Sequence, residues 1–276
     1  MPNLITRARA LYNLNNLGAT AAENTTLDAL IAAVSAGIER WCRRNFVSTQ
    51  YDEVYDGSNA TELVLQHFPL ISIERVAFDP TTVLQVQNTS ASNQRATVQV
   101  TSTGLTLTRV ASGVSSSSTV TFAANVTLAA LEAAINVLGN GWAANLTNGD
   151  FANRASADLR ALQGAHTAKS VSAALMIHLQ ELADFASDSA RGMLIRSARW
   201  LGRMQYWRVI YTAGYASVPE DVQEACAQWV AMLFWQTKRD PGLAHETVPG
   251  SIARTPHWHM PLSVRLLLEP YRALRI

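Results

Sequence analysis

Two segments with helical periodicity, far apart in the sequence, restrict the folds open to this chain of 276 residues. Apolar side chains recur at intervals of three and four residues in 26–44 and again in 219–239. Each pattern places a wide apolar stripe on one face of a helix, and such a stripe has to be buried. Burying one face against the other would contribute on the order of 10 kcal/mol before conformational entropy is subtracted. We therefore expect the two helices to pack together.

The start of each helix carries capping signals. In the first helix, Thr25 and Asp28 are spaced like a capping box. In the second, Ser217 can cap the first turn and Glu220 can reach back to it. Pro219 is tolerated in that turn because its missing N–H costs no helical bond.

Three arginines, Arg40, Arg43 and Arg44, lie at the end of the first helix. Cations at this position oppose the negative end of the helix dipole. Contact with DNA or with a partner protein is the alternative interpretation.

The sequence between the helices has the alternation of β-strands. Residues 46–78 alternate apolar and polar side chains, which predicts short antiparallel strands. From about residue 81 to 150 charged residues become rare and Ser, Thr and Asn dominate, which indicates a separate unit. In that unit ATVQVTS and LTLTRVA predict a strand pair around Thr103-Gly104, and TLAALEAAINVL predicts a helix ended by Gly139. The serine run at 115–118 is expected to form a turn or loop tip before a third strand.

Residues 156–205 leave two interpretations open. SVSAALMIHLQELADF fits a helix capped at Ser170, and it also fits strands on either side of a turn at 188–192. After it, YWRVIYTA predicts a strand that ends at Gly214.

These patterns together predict an α+β fold: a small helical core with antiparallel β-strands, an inserted α+β domain and an extended C-terminal tail. The expected core is discontinuous and spans 1–83 and 181–242. The inserted domain covers 84–180, and a C-terminal arm covers 243–276.

Composition limits the function classes. The formal net charge of +1 argues against a protein that coats nucleic acid through bulk charge, although 20 of the 22 basic residues are Arg. Arginine suits interfaces and phosphate contacts because its planar guanidinium binds oxyanions through two hydrogen bonds. The chain has no signal-peptide pattern and no apolar run that could span a bilayer, so we expect an intracellular protein without a membrane partner. Cys42 and Cys226 fall on the apolar stripes, which favours buried thiols.

No catalytic motif is complete. His257 and His259 have a spacing found in metal sites, with His245 and Glu246 nearby, but no further ligands follow at an expected spacing. Phosphate-loop, nucleophile-elbow and zinc-protease motifs are absent from the sequence. We therefore expect no enzyme and no cofactor. A hydrolase or metalloenzyme is the third hypothesis.

An arginine-rich segment covers residues 191–208 and interleaves cations with aromatic side chains. On alternating strands some of these cations could face a channel or a DNA backbone. A solvated sheet face or salt bridges between subunits is the other interpretation. The arginines are Arg191, Arg196, Arg199, Arg203 and Arg208.

Four segments occur in an informative order: ERWCRRNF, a strand pair around YDG, LQHFPLISIERV, and VIYTAGYASVPEDVQEACAQWVAMLFWQTKRD. Together they resemble the head–tail connector, or adaptor, proteins of long-tailed bacteriophages and related prophages. The resemblance covers roughly residues 25–80 and 206–242. Two departures stand out: the minimal family lacks the insertion at about 84–180, and its acidic loop after the first helix is replaced here by NLNNLGATAAENTT.

The resemblance implies a structural protein of the virion neck, made in the host cytoplasm, that acts in genome packaging and ejection. Such proteins form a ring, commonly of twelve copies, that docks on the portal protein, joins the next neck or tail protein, and passes double-stranded DNA through its lumen. Trp41, Trp229 and Phe234 would then anchor the helical core. The arm would contact the portal or a neighbouring subunit through Trp258, Arg265, Tyr271 and Arg272, and docking of VRLLLEPY onto its own domain is the alternative. A DNA-binding packaging accessory protein that uses 191–208 is the alternative function.

Overall fold

The computed structural model describes residues 3–15, 19–238 and 260–273 and has the expected α+β architecture. The helices are α1 (Arg7–Asn13), α2 (Ala21–Cys42), α3 (Leu128–Val137), α4 (Glu220–Thr237) and α5 (Leu262–Leu268). The strands are β1 (Thr49–Tyr55), β2 (Glu62–Val64), β3 (Leu70–Asn88), β4 (Asn93–Val100), β5 (Gly104–Ala111), β6 (Val114–Thr121), β7 (Trp142–Leu146), β8 (His166–Thr167), β9 (Ala173–Glu181), β10 (Ala186–Asp188), β11 (Met193–Ile195) and β12 (Trp207–Ala213).

Helix α2 begins earlier than the sequence predicts. Thr20, not Thr25, is its N-cap: the Thr20 side chain accepts a hydrogen bond from the backbone N–H of Glu23, whose carboxylate accepts one from the Thr20 N–H. The predicted capping box at Thr25 and Asp28 is therefore wrong, and the Thr25 hydroxyl donates to the Ala21 carbonyl inside the helix. The error arose because the first turns of α2 are polar, so the apolar period becomes visible only from Leu27.

Helices α1, α2, α4 and α5 form the helical unit, whose core comes from both ends of the chain. As predicted, α2 packs against α4. The short helix α1, which the sequence did not reveal, packs on both of them. Helix α4 starts after Pro219 without a side-chain cap, so the predicted cap at Ser217 does not form. The buried core residues of this unit include Leu27, Ile31, Ile38, Cys42, Phe46, Val222, Cys226, Val230, Phe234, Val264 and Leu268.

The long strand β3 organises the central sheet. Along one of its edges β12 pairs with residues 70–77 and β7 pairs with residues 84–88, while β9 pairs along the other edge. Strand β1 pairs with the free side of β12. The sequence predicted a short strand ending near residue 78, but β3 continues through Pro80 and crosses the predicted domain boundary between 83 and 84. A small sheet of β10, β11 and β2 lies beside it.

The second unit, defined as residues 84–180, contains a four-stranded sheet in the order β6–β5–β4–β8 together with α3. Its core is one cluster of buried residues drawn from 83–177, which include Val86, Val98, Leu105, Leu107, Leu131, Ile135 and Ile177. The predicted pairing of ATVQVTS with LTLTRVA and the helix ended by Gly139 are confirmed. The serine run is not a loop tip: Ser115–Ser118 pair with β5 as part of β6, and the turn is at Ser112-Gly113.

The ambiguous region resolves into strands. Residues 173–181 form β9, so a helix capped at Ser170 does not form. Strands β10 and β11 flank the turn at 188–192, and β12 ends at Gly214, as the strand interpretation predicted. Residues 196–206 contain no strand, so Arg196, Arg199 and Arg203 do not lie on the alternating strands that the sequence suggested.

Candidate assembly surfaces

The predicted aromatic anchors lie in one helical core. Phe234 is buried between the helices, and Trp41 and Trp229 are partly buried against the same cluster. The Trp229 ring lies over Gly37 of α2, where a Cβ atom would approach Cη2 to 3.1 Å. Glycine therefore lets α4 place an indole directly against the α2 backbone. The indole Nε1 of Trp229 is buried without a hydrogen-bond partner among the described residues.

The segment after residue 260 docks onto its own helical unit. Val264 and Leu268 of α5 are fully buried against α4. The Tyr271 hydroxyl donates to the Asp221 carboxylate at 2.9 Å, and burial together with this anionic acceptor raises the pKa of Tyr271 to about 12. The Arg272 guanidinium lies over the Trp41 ring, 5.3 Å from its centroid. Tyr271 and Arg272 thus make contacts within the chain, whereas Trp258, His245, Glu246, His257 and His259 lie outside the described residues.

The outer face of α5 is apolar and exposed. Leu262 and Leu266, one helical turn apart, are 71% and 67% exposed, and Arg265 is exposed between them. Trp235 of the neighbouring helix α4 is 54% exposed. Two exposed leucines at i and i+4 give this helix a second apolar stripe opposite to the one that it buries.

The arginine-rich segment divides into two classes. Arg208 is buried: its guanidinium binds Asp52 through two hydrogen bonds of 2.6 and 2.7 Å and donates to the Asp158 carbonyl at 2.5 Å. Arg196 pairs with Asp184 at 3.2 Å. Arg191, Arg199 and Arg203 are exposed. Arg191 has a long ion pair with Asp188 at 3.8 Å, and Arg199 and Arg203 have no ion pair with a described residue.

The buried indole of Trp200 anchors the loop that carries Arg199 and Arg203. Trp200 is fully buried, its backbone N–H donates to the Ala60 carbonyl, and its Nε1 donates to the Thr61 carbonyl at 3.1 Å. Gly57 and Gly202 are needed where this loop meets residues 56–61, because a Cβ on Gly57 would lie 1.6 Å from the Leu201 oxygen. Residues 196–206 therefore form an anchored loop on the small sheet.

Sequence reasoning missed a polar cluster around Glu53. Its carboxylate accepts hydrogen bonds from the hydroxyls of Tyr55 and Tyr211 and lies 3.3 Å from Nε2 of His67. The His67 ring stacks on Tyr51 with centroids 3.8 Å apart. Burial opposes ionisation of Glu53, but the three donors outweigh it and lower the pKa of Glu53. The cluster fixes residues 66–69 against the central sheet.

A second missed cluster joins the central sheet to the second unit. Arg75 and Arg208 both bind Asp158, Arg75 through the carboxylate at 2.6 Å and Arg208 through the backbone carbonyl. His178 is buried beside them, and burial, followed by the nearby cations Arg208 and Arg160, lowers its pKa to about 4. His178 is therefore neutral at physiological pH. Local sequence carries no signal for these contacts because the partners are more than 40 residues apart.

The described residues contain neither a metal site nor an activated thiol. They contain no group of three or more His, Cys, Asp or Glu side chains arranged to hold a metal ion. Both thiols are buried, as the sequence predicted, and burial raises the pKa of Cys42 and of Cys226 to about 12, so neither is a reactive thiolate. Within the same residues, no helix is both long enough and apolar enough to span a bilayer.

Comparison with known proteins gives structural similarity at low sequence identity. No protein-family model matches the chain, and no curated protein matches it. Chains in three solved structures align with nearly the whole protein. One belongs to the neck of an empty GTA particle computed with C6 symmetry, at 14% identity and a TM-score of 0.43, covering 99% of this chain and 91% of that chain.

The second belongs to the neck of a native GTA particle computed with C12 symmetry, at 13% identity and a TM-score of 0.37, covering 100% of this chain and 97% of that chain. The third belongs to the virion of a native gene transfer agent particle, at 14% identity and a TM-score of 0.37, covering 99% of this chain and 91% of that chain.

Proposed function

We propose that this protein is a structural component of the neck of a phage-like particle. It acts as a head–tail adaptor that forms a ring on the portal, joins it to the next neck or tail protein, and surrounds the path of the DNA. Its action depends on shape and interfaces and requires no bond chemistry.

One observation carries the proposal. The segments that resemble connector proteins are separated by more than a hundred residues, yet they pack as one body. Where the two segments meet, Val47 forms an isolated β-bridge with Tyr215. The Arg44 guanidinium donates a hydrogen bond to the Tyr215 hydroxyl at 3.1 Å. Helix α2 packs on α4, and the strands that follow and precede these helices, β1 and β12, pair along their whole lengths. If these segments form the core of a connector protein, they have to lie together in the fold, as they do here.

The outer face of α5 is the surface that we assign to the portal or to a neighbouring subunit. Its exposed leucines, Leu262 and Leu266, supply apolar area, and Arg265 supplies a planar donor between them. Arginine is among the residues that most often dominate the binding energy of an interface, and the leucines add apolar area that is buried on binding. Tyr271 and Arg272 support this face indirectly, because they hold α5 onto the helical unit.

Light scattering with and without the portal protein of the same particle tests the proposal. The expected result is a species of defined stoichiometry on the portal that appears as a ring in negative-stain images. Leu266→Arg should prevent its formation, whereas Val171→Arg, at an exposed valine of the second unit, should not. No binding to the portal by a folded wild-type protein would overturn the proposal.

A DNA-binding packaging accessory protein is the second candidate. The exposed cations Arg191, Arg199 and Arg203 in and beside the anchored loop favour it. Duplex-DNA binding that weakens steeply with salt, and that is lost in the Arg199→Ser/Arg203→Ser double variant, would support this function. Ring formation on the portal by that same variant would assign these arginines a minor role.

A further inference from the structure

Strand β6 is an outer strand of the four-stranded sheet, and its outer side differs from that of β7 in the same unit. The outer edge of β7 is closed by α3: the Asn136 side chain accepts from the Ala144 N–H at 2.7 Å and donates to the Ala144 carbonyl, and Glu132 accepts from the Leu146 N–H at 3.1 Å. Folded proteins protect strand edges in this way because an open edge is a template for another strand.

Strands β9 and β4 also have hydrogen bonds on the side that faces away from their main ladder. The Arg160 N–H donates to the Met176 carbonyl on the free side of β9. On the side of β4 that faces away from β5, two residues pair with β8, and the Val100 carbonyl accepts a hydrogen bond from the Leu162 N–H. Strand β6 differs from β7, β9 and β4, since its only ladder is the one with β5.

The register of the β5–β6 hairpin shows which groups face outward. The Phe122 N–H donates to the Thr103 carbonyl at 2.9 Å, so the even-numbered residues of the paired β6 strand bond β5. The backbone N–H and C=O groups of Ser115, Ser117 and Thr119 therefore point away from the sheet. No described residue bonds these six groups.

The edge also lacks the features that deter strand addition. Strand β6 reads VSSSSTVT and has no charged residue, no proline and no bulge in its pairing with β5. Residues 114–117 are exposed on both faces, so side chains of the same molecule do not obstruct an incoming strand. Natural edges of this length usually carry lysine, proline or a bulge.

We propose that β6 pairs antiparallel with β6 of a second copy of this chain, with Ser117 opposite Ser117 at a two-fold axis. The outward groups are symmetric about Ser117, so this register matches Ser115 with Thr119 on both sides and satisfies all six groups in a continuous sheet. Because β6 has no charged residue, two copies of it can pair without charge repulsion. Two copies of β1 would repel each other, since that strand carries Asp52 and Glu53. Serine and threonine hydroxyls lie on both faces and can bond across the junction.

This contact is separate from the proposed ring. A two-fold contact uses the same surface on both copies, whereas neighbours in a closed ring use two different surfaces. The pair is a state of the free protein, and its existence does not depend on binding to the portal.

Site-directed disulfide formation tests the register. In an antiparallel pair, opposite residues that bond each other, as the two copies of Ser117 would, have Cα atoms about 5.5 Å apart, within the range that a disulfide spans. Ser117→Cys should give a covalent dimer under copper–phenanthroline oxidation. Ser115→Cys, whose two copies would lie four residues apart in register, or about 13 Å, should not. Cys42 and Cys226 are both buried and do not compete.

Light scattering supplies the second measurement. The wild type should have twice the monomer mass of 30.0 kDa. Ser117→Lys, which puts like charges together at the axis, should return it to the monomer, while Val137→Lys, at an exposed valine of α3, should leave the pair intact. A monomeric wild type, equal cross-linking of the two cysteine variants, or a paired Ser117→Lys variant would each overturn the proposal. Failure to form a ring on the portal would contradict the neck function and leave this pair unaffected.

Discussion

The two larger hydrophobic cores among the described residues are drawn from the chain in different ways. The core of the second unit uses residues from one continuous stretch, 83–177. The helical core joins residues 4–46 to residues 222–268, across the whole intervening chain. Closing a loop of that length costs entropy before any helical contact is made. The second unit can therefore fold early and locally, and the helical unit depends on the rest of the fold to bring its halves together.

The largest test of this comparison is Phe234→Ala. Phe234 is 2% exposed in the helical core, and truncation of a buried phenylalanine costs about 3–5 kcal/mol. Hydrogen exchange measured by mass spectrometry should show lost protection in α2 and α4, with β4–β6 unchanged. The matched change is Leu131→Ala in the core of the second unit, where Leu131 is fully buried. Uniform loss of protection in both units from either variant would show that they unfold as one.

Arg208 lies where the central sheet meets the second unit. Its bidentate bond to Asp52 stays within the central sheet, and its bond to the Asp158 carbonyl reaches the second unit. Arg208→Met keeps most of the buried volume but leaves the half-exposed Asp52 without its partner, so we expect a loss of about 2–3 kcal/mol in the free energy of unfolding from urea titration.

A double-mutant cycle of Arg208→Met with Asp52→Asn separates this ion pair from the contact with the second unit. A coupling energy within about 0.5–3 kcal/mol is expected for groups in direct contact. Additive effects would mean that Arg208 stabilises the protein mainly through Asp158.

The sequence predicted the elements whose signals are local, and it failed where partners are distant. The stripe that ends at Phe234 and the strand at 207–213 follow from periodicity, so their positions were correct. The serine run was misassigned because its residues resemble a turn, whereas the ladder with β5 determines its structure. Nothing in the sequence near Arg208 or Glu53 indicates Asp158 or Tyr211, because tertiary folding alone brings these residues together.

The Glu53 cluster predicts a pH dependence of the central sheet. The hydrogen bonds from His67, Tyr211 and Tyr55 lower the pKa of Glu53. A carboxyl group whose pKa is lowered on folding stabilises the protein fully above its unfolded pKa, about 4.3, and this contribution is lost as the pH falls through the folded pKa. Glu53→Gln should therefore cost about 1–2 kcal/mol at pH 7, and the difference from the wild type should shrink below about pH 4. Urea midpoints from pH 7 to pH 3 measure it, and a difference independent of pH would contradict the role of the charge.

The smallest expected effect compares the starts of the two long helices of the helical unit. Thr20 caps α2 reciprocally with Glu23, whereas α4 starts at Pro219 with no side-chain cap. Thr20→Ala should lower the free energy of unfolding by about 1 kcal/mol, because an N–H of the first turn loses its acceptor. Ser217→Ala, at the position that sequence alone favours as a cap, should change it by less than about 0.5 kcal/mol. If the two variants were equally destabilised, the capping assignment of α4 would have to be reversed. The start of α4 after β12 would then depend on a side-chain hydrogen bond instead of on the packing of Val222 and Val230 against α2.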